Sequence, residues 1–301
     1  MLATIISNGR NYILSKEQLS KIKIVGFVLR PDSLDILSLY HKISKKFEDK
    51  GMEVLLASES AKMIGLDGVE FKAMCKKVDL LVSLGGDGTL LGLVRKSYGF
   101  DKPVLGINAG NLGFLADTPI ECVDEMIEML LIGNYRIDER MMIEGYIEHD
   151  KGRRDEFYAF NDVVITRPTI AHMIKLDAFI DNDWFNTYRG DGLIISTPTG
   201  STAYNLSLGG PIVYPLSKVF IMTPVAPHSL TQRPLVVPID FSIKLSSPDQ
   251  LVVMVDGQDD YVLKSNDKLV IKGAGMSAKL LHKKKHSYFK VLREKLSWGD
   301  E

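Results

Sequence analysis

The sequence predicts an α/β N-terminal domain with a mainly parallel sheet, followed by an all-β C-terminal domain. Three observations carry this expectation. Short, nearly continuous apolar runs alternate with helical periodicity as far as about Arg136. Two glycine-bearing loops follow directly on two of those runs. Beyond Arg136 the pattern changes to short β-rich runs separated by turn residues. Continuous apolar runs are the mark of strands buried on both faces, as in a parallel sheet covered by helices, where ligands bind beyond the carboxyl ends of the strands.

Residues 1–21 carry no clear pattern, and residues 22–29 (IKIVGFVL) predict the first strand. After Pro31, Asp32 or Ser33 is placed to cap a helix with Leu34, Leu37, Tyr40, Ile43 and Phe47 at helical spacing and Gly51 at its stop. Residues 54–57 predict a second strand, 59–77 a loop with one short helix, and 78–84 a third strand. A helix over 89–98, a strand over 103–107 and an amphipathic helix over 121–132, closed by Gly133, complete the pattern. The β-rich runs then span 142–148, 156–166, 175–180, 193–196, 235–237, 242–245, 251–255 and 268–272. Turn signals separate them at Asp150-Lys151-Gly152, Asp181-Asn182-Asp183 and Asp256-Gly257. A last helix over 288–296, with Phe289, Leu292 and Leu296 in register, is expected to pack back on the first domain. The expected division is therefore residues 1–138 completed by 281–301, and 139–280.

With 301 residues, 45% of them hydrophobic and 25% charged, the chain has the length and composition of a two-domain globular protein. A net charge of −1 provides no general attraction to nucleic acid or anionic membrane. Cys75 and Cys122 stand apart, without CxxC spacing or neighbouring His, so neither a disulfide framework nor a zinc site is expected. Other metal ligands are also unclustered in the sequence, which leaves room for Mg²⁺ brought in with a nucleotide. The N-terminus lacks an apolar signal region and no run reaches the roughly 18 apolar residues of a membrane span, so a cytoplasmic protein is expected. Lys283-Lys284-Lys285 reads as solvated surface.

Residues 81–91 (LVSLGGDGTLL) read as strand, tight turn and helix start. Glycines there permit positive φ and close approach of a ligand, and N–H groups at a helix start attract anions. Asp87 repels an anion, which suits a general base beside a phosphate better than a phosphate ligand. The same residues also make an ordinary strand-to-helix turn with Asp87 as a cap. Asn161-Asp162, in an otherwise apolar run, offers donors and acceptors for an adenine edge and ribose hydroxyls, and equally suits a bulge with solvated polar groups. Residues 189–205 (RGDGLIISTPTGSTAYN) are the densest run of small polar residues, with Tyr204 as a flat face for a base; a hydroxyl-rich helix cap is the plainer alternative. His172 and His228 are lone histidines, and Asp256-Gly257-Gln258 reads as a hairpin turn. There is no GxxxxGK[ST], and Gly106, Gly110 and Gly113 miss the GxGxxG spacing.

Gly85-Gly86-Asp87-Gly88-Thr89, Asn111-Leu112-Gly113-Phe114-Leu115, Asn161-Asp162 and the run from Asp191-Gly192 through Thr197-Pro198-Thr199-Gly200-Ser201-Thr202-Ala203-Tyr204 together resemble the bacterial NAD kinase family, over roughly residues 22–298. The glycine turn alone is similar to those of diacylglycerol and sphingosine kinases and phosphofructokinases; the TPTGSTAY run makes the resemblance specific. The resemblance implies an NAD kinase/diacylglycerol kinase-like fold and transfer of a phosphoryl group from ATP, or in some members polyphosphate, to the 2′-hydroxyl of the adenosine ribose of NAD⁺, with a divalent metal, Mg²⁺ by expectation. It implies Asp87 as the catalytic carboxylate, with Gly85, Gly86, Gly88 and Thr89 near the donor phosphates and Phe114 among the substrate- or cofactor-binding residues. Asn161 and Asp162 would hold adenine and ribose, and Thr199, Thr202, Ala203, Tyr204, Asn205, Leu206 and Ser207 would frame the adenylate. Asp191 would meet the nicotinamide end, and His172, Arg189, Ala226 and Gln258 match further NAD-touching positions. Such sites are often completed by a second subunit, so a homodimer or homotetramer is implied. Many bacterial members carry Glu where this chain has Asp162, whose shorter arm keeps the charge and changes its reach.

Two rivals frame the reading. A lipid kinase sharing the glycine turn needs an apolar acyl pocket in the β domain, where this sequence places its small polar run. A non-catalytic NAD(H)-binding sensor would bind the dinucleotide without forming NADP⁺.

Overall fold

The computed structural model describes residues 22–31, 35–110, 113–169 and 173–299. The expected cap at Asp32 or Ser33, Leu34, Asn111, Leu112 and His172 lie outside the described residues. The first domain is built from β1 (Ile24–Leu29), α1 (Ile36–Glu48), β2 (Glu53–Leu56), α2 (Ser58–Ile64), α3 (Phe71–Lys77), β3 (Leu80–Gly85), α4 (Asp87–Lys96), β4 (Pro103–Asn108), β5 (Thr118–Pro119), α5 (Val123–Leu131) and β6 (Tyr135–Arg140). The chain continues through β7 (Ile143–Glu148), β8 (Arg154–Ala159), β9 (Asp162–Thr166), β10 (Ile174–Ile180), β11 (Asp183–Gly190), β12 (Gly192–Ser196), α6 (Tyr204–Ser207), β13 (Val219–Val225), β14 (Leu235–Pro238), β15 (Ile243–Ser246), β16 (Leu251–Val255), β17 (Asp259–Leu263) and β18 (Lys268–Gly273). It ends in β19 (Ala278–Lys283) and α7 (Tyr288–Leu296).

The first sheet runs β2-β1-β3-β4-β19-β6, with β5 beside β4. Its neighbours are parallel except β19 and β6. Every residue of β3 and β4 is buried, because helices cover both faces. Phe27, Val82 and Ile107 pack against α1 and α5 on one face; Leu81 and Val104 pack against α3 and α4 on the other. The remaining strands form two six-stranded antiparallel sheets, β11-β10-β15-β18-β7-β8 and β14-β13-β12-β9-β16-β17. Their inward residues, Ile143, Leu176, Leu193 and Val253 among them, share one core, and the alternating burial of β7 and β16 is the period-2 pattern of a sandwich.

Several elements differ from expectation. Leu37 is exposed while Ile36 is buried with Tyr40, Ile43 and Phe47, since that set lies on one side at 3.6 residues per turn. The single short helix expected in 59–77 is two, α2 and α3, separated by Gly65 at φ +72°. Phe289 is exposed in α7, whose buried residues are Tyr288, Val291 and Leu292, and it stacks on Tyr214 of the β-rich part at 6.0 Å. The run 156–166 is not one strand. It breaks at Phe160-Asn161, and β8 and β9 belong to different sheets. The cause is Asp256, whose carboxylate accepts the backbone N–H groups of Phe160, Asn161 and Asp162 at 2.8, 2.7 and 2.9 Å, groups a continuous strand would give to a neighbour.

Candidate active site

The glycine turn sits at the carboxyl end of β3, and α4 begins at Asp87 itself rather than at Thr89. None of Gly85, Gly86 and Gly88 has a positive φ, so backbone freedom is not why glycine stands there. A side chain at Gly85 would strike Thr89 and Arg30, whereas one at Gly86 or Gly88 would meet nothing within 4 Å. Gly85 thus serves packing, and the other two leave the helix start open to close approach. The Asp87 carboxylate accepts N–H bonds from Phe114 (2.8 Å), Leu115 (3.1 Å) and Ala116 (2.9 Å), which bind the second glycine loop to the first. Gly113 is required by the same contact, because a Cβ there would sit inside that carboxylate. A carboxylate has about four acceptor positions, so Asp87 retains about one.

A recess of about 330 Å³ lies beside this turn, lined by Asn108, Ala109, Gly110, Pro119, Ile120 and Glu121. Arg30, which follows β1, lies near both glycine loops: its Cβ is 2.9 Å from where a Gly85 Cβ would be, and its Nη1 is 3.9 Å from that of Gly110. Sequence reading passed over Arg30, whose signal was a cation at the end of an apolar strand immediately before Pro31.

On the β-rich side, the TPTGST run is stitched to Asn161. Thr197 N–H donates to Asn161 O at 2.8 Å, the Thr197 hydroxyl donates to Phe160 O at 2.6 Å, and a side chain on Gly200 would collide with the Asn161 backbone. Asn161 Oδ1 and Thr199 Oγ1 are both buried with no hydrogen-bond partner. Orphaned polar atoms are costly, and two at one corner mark a place where a ligand's polar edge would be favoured. Asp162 is 5% exposed, and burial followed by the neighbouring Asp256 pushes its carboxyl up to about 7. Burial also raises Asp256, against the pull of its three N–H donors and of Arg95.

Asp256 and Gly257, at φ +53° and +62°, make the tight β16–β17 hairpin turn that the sequence predicts. That turn joins the two halves of the site. Arg95, in the last turn of α4, lies 3.3 Å from Asp256 Oδ2 through Nε, and donates to Tyr158 O at 3.1 Å, to Gln258 Oε1 at 3.1 Å and to Asp259. Gln258 Nε2 in turn donates to Gly88 O at 3.3 Å. Gln258 is therefore a strut between the halves as much as a candidate contact, and Arg95 and Asp256, both missed in the sequence, are its frame.

Other expected residues fall elsewhere. Asn205 is fully buried, its amide donates to Ser201 O and Pro211 O, and its Oδ1 accepts from Thr223, so its side chain shapes the loop and has no donor left for a ligand. Thr202 donates to Thr199 O at 3.4 Å; Ala203 and Leu206 are half-buried, and Tyr204 and Ser207 are exposed on α6. Arg189, Asp191 and Ala226 gather at the opposite end of β12 from Thr197; Asp191 is about 20 Å from it at roughly 3.3 Å per residue. There Asp191 pairs with Arg167 at 3.0 Å, its N–H donates to Val225 O, and Ala226 takes φ +42°.

Residues 25–135 match the ATP-NAD kinase N-terminal domain, and residues 160–283 match the ATP-NAD kinase C-terminal domain. The NAD kinase of Sulfurimonas denitrificans is 48% identical over 280 residues, covering 93% of this chain and 98% of that protein. The NAD kinase of Wolinella succinogenes is 49% identical over 286 residues, covering 94% and 98%. In fold, the chain is similar to yeast NADH kinase complexed with NADH (TM-score 0.87, 24% identity, 94% of this chain and 89% of that one). It is also similar to an Archaeoglobus fulgidus NAD kinase in complex with ATP (TM-score 0.73, 23% identity, 91% and 98%).

Proposed function

The chain belongs to the ATP-NAD kinase family, and from that premise we propose that it transfers the γ-phosphoryl group of ATP to the 2′-hydroxyl of the adenosine ribose of NAD⁺, giving NADP⁺ and ADP. The observation that carries the reading to this chain's own residues is the Asp256–Gln258 turn, which hydrogen-bonds to both the glycine-turn helix and the Asn161-Asp162 corner.

The orphaned Asn161 Oδ1 and Thr199 Oγ1 receive the polar edge of the adenylate, and Asp162 meets a ribose hydroxyl. Asp87 is the general base: its one remaining acceptor position takes the 2′-hydroxyl proton as the new O–P bond forms and the bond to ADP breaks. The three N–H donors from residues 114–116 hold its oxygens in place for that transfer. Arg30 and the uncrowded start of α4 at Gly86 and Gly88 stabilise charge on the transferred group. Mg²⁺ fits this arrangement as an ion carried chiefly by the donor's phosphates and water, because Asp87 has too few free positions to serve as both metal ligand and base. When bound, the ion supplies neutralisation of the phosphate charge.

Arg189, Asp191 and Ala226 lie too far from Thr197 along β12 to line the same end of one chain's site. This supports completion of the site by a second copy, in a homodimer or homotetramer. We place the activity in the cytoplasm, where the free thiols Cys75 and Cys122 stay reduced. Incubating the protein with NAD⁺ and ATP–Mg²⁺, and separately with polyphosphate or NADH, and measuring NADP(H) tests the reading. Calorimetric NAD binding with no NADP(H) from any donor would instead establish the sensor.

A further inference from the structure

We propose that Asp117, His282 and His286 form a binding site for one divalent transition-metal ion of the zinc type. Contrary to the expectation that metal ligands are unclustered, His282 and His286 stand four residues apart in the sequence, and the fold brings the distant Asp117 to them: Asp117 precedes β5, His282 is in β19, and His286 lies just before α7. Asp117 Oδ2 is 2.8 Å from Nδ1 of both histidines, whose rings stack at 4.7 Å and 13°, so three ligand atoms converge on one point.

A hydrogen-bonded cluster of neutral imidazoles leaves a mismatch. If both rings donate Nδ1–H to Asp117, the Nε2 lone pair of neutral His282 points into the protein; that atom is buried with no hydrogen-bond partner and lies 3.6 Å from Asp138 Oδ2. Two acceptors then face each other in a residue that is 2% exposed. A metal on Nδ1 moves the ring proton to Nε2, where it meets Asp138 and gives the carboxylate–histidine–metal order of many sites. His149 is the internal contrast, with its two nitrogens satisfied by Asp267 at 2.8 Å and Asp155 at 2.9 Å.

The remaining chemistry agrees. Imidazole ligands suit zinc, copper and nickel ions better than Mg²⁺. Metal bonds of about 2.0–2.1 Å in tetrahedral geometry require each Nδ1–Oδ2 contact to open by only about 0.5 Å. Asp117 and His286 also line a groove of about 560 Å³ bordered by Met129, Asn134 and Lys290, through which an ion can enter and a water can take the fourth position. A bound ion would tie β19 and the start of α7 to the segment whose N–H groups grip Asp87.

The test titrates Zn²⁺ into the metal-free full chain against a chromophoric chelator, with thermal unfolding and Co²⁺ absorption as second readouts. One saturable site per chain is expected, with a raised Tm and the visible bands of four-coordinate Co²⁺. His286→Ala should weaken binding at least 100-fold, Asp138→Asn about 10–100-fold, and His149→Ala should leave it unchanged. Absence of saturable uptake or of Co²⁺ bands in the unaltered chain overturns the proposal whatever the variants do. Uptake undiminished in folded His286→Ala overturns it as well. None of these readouts depends on kinase activity.

Discussion

Asp87 and Asp162 are two carboxylates of one proposed site, held in opposite ways. Asp87 stands half-exposed at the end of a parallel sheet with three backbone N–H groups on its oxygens. Asp162 is buried in an antiparallel sheet beside a second carboxylate and is driven toward its protonated form. The difference comes from architecture. At the end of the parallel sheet the loop N–H groups of residues 114–116 turn onto Asp87, whereas in the antiparallel sheet the N–H groups freed where β8 and β9 part go to Asp256 and none is left for the Asp162 carboxylate. In the proposed reading, one half of the site thereby positions a base, and the other would grip a neutral or weakly charged substrate edge.

The contrast can be broken at four places, taken from the largest effect down. Asp87→Asn should lower turnover by about 10²–10⁴-fold while calorimetric NAD binding survives; near-normal turnover would move the base elsewhere, with Asp162 next in line. Asp162→Asn should act on stability. Its folded-state pKa is raised above that of the unfolded chain, so the folded protein holds a proton the unfolded chain lacks between about pH 4 and 7. The penalty of the buried charge is absent below that window and complete above it. The variant's gain in urea-unfolding stability over the unaltered chain should therefore grow from pH 4 to pH 8, with about 4 kcal/mol as an upper bound. A gain that shrank with rising pH would show that Asp162 is ionised by a partner.

Arg95→Leu removes the cation facing the fully buried Asp256 side chain and should cost about 3 kcal/mol, read as a lower urea midpoint at unchanged m. An equal loss in Gln258→Ala would place the strut's strength in Gln258 instead. Gly113→Ala displaces the Asp87 carboxylate and should cost about 1–3 kcal/mol together with a fall in kcat. A stability loss with kcat intact would mean that the N–H clamp on Asp87 is structural only.

The parts of the fold that were legible are those written in local pattern. The buried runs that became β1, β3 and β4, the closing Gly133 at φ +69°, and the turns at Asp181-Asn182 and Asp256-Gly257 all declare themselves within a few residues. β11 was hidden because it is an edge strand with Trp184 and Phe185 exposed, so its pattern does not alternate as a half-buried strand should. Asp256 shows the limit for the site. Its sequence neighbourhood reads correctly as a hairpin turn, but its second task is to hold Phe160, Asn161 and Asp162 in place, with Arg95 at its side, and no local pattern encodes partners that distant. The proposed metal site is half-legible: His282 and His286 stand four residues apart in the sequence, but Asp117 meets them only when β19 joins the first sheet.

The insertion of β19 between β4 and β6 also sets a schedule for folding. Residues 141–277 intervene between β6 and the strand that pairs with it. A nascent chain that has emerged only through β18 leaves β4 an edge covered only at one end by β5, and β6 without its strand partner, a template for pairing with other chains. The β sandwich, whose strands are all in hand by then, can be complete while the sheet that carries Asp87 is not. Closure of that sheet joins segments far apart in sequence, a slow class of event, so active enzyme should accumulate only after the final strand is released from the ribosome.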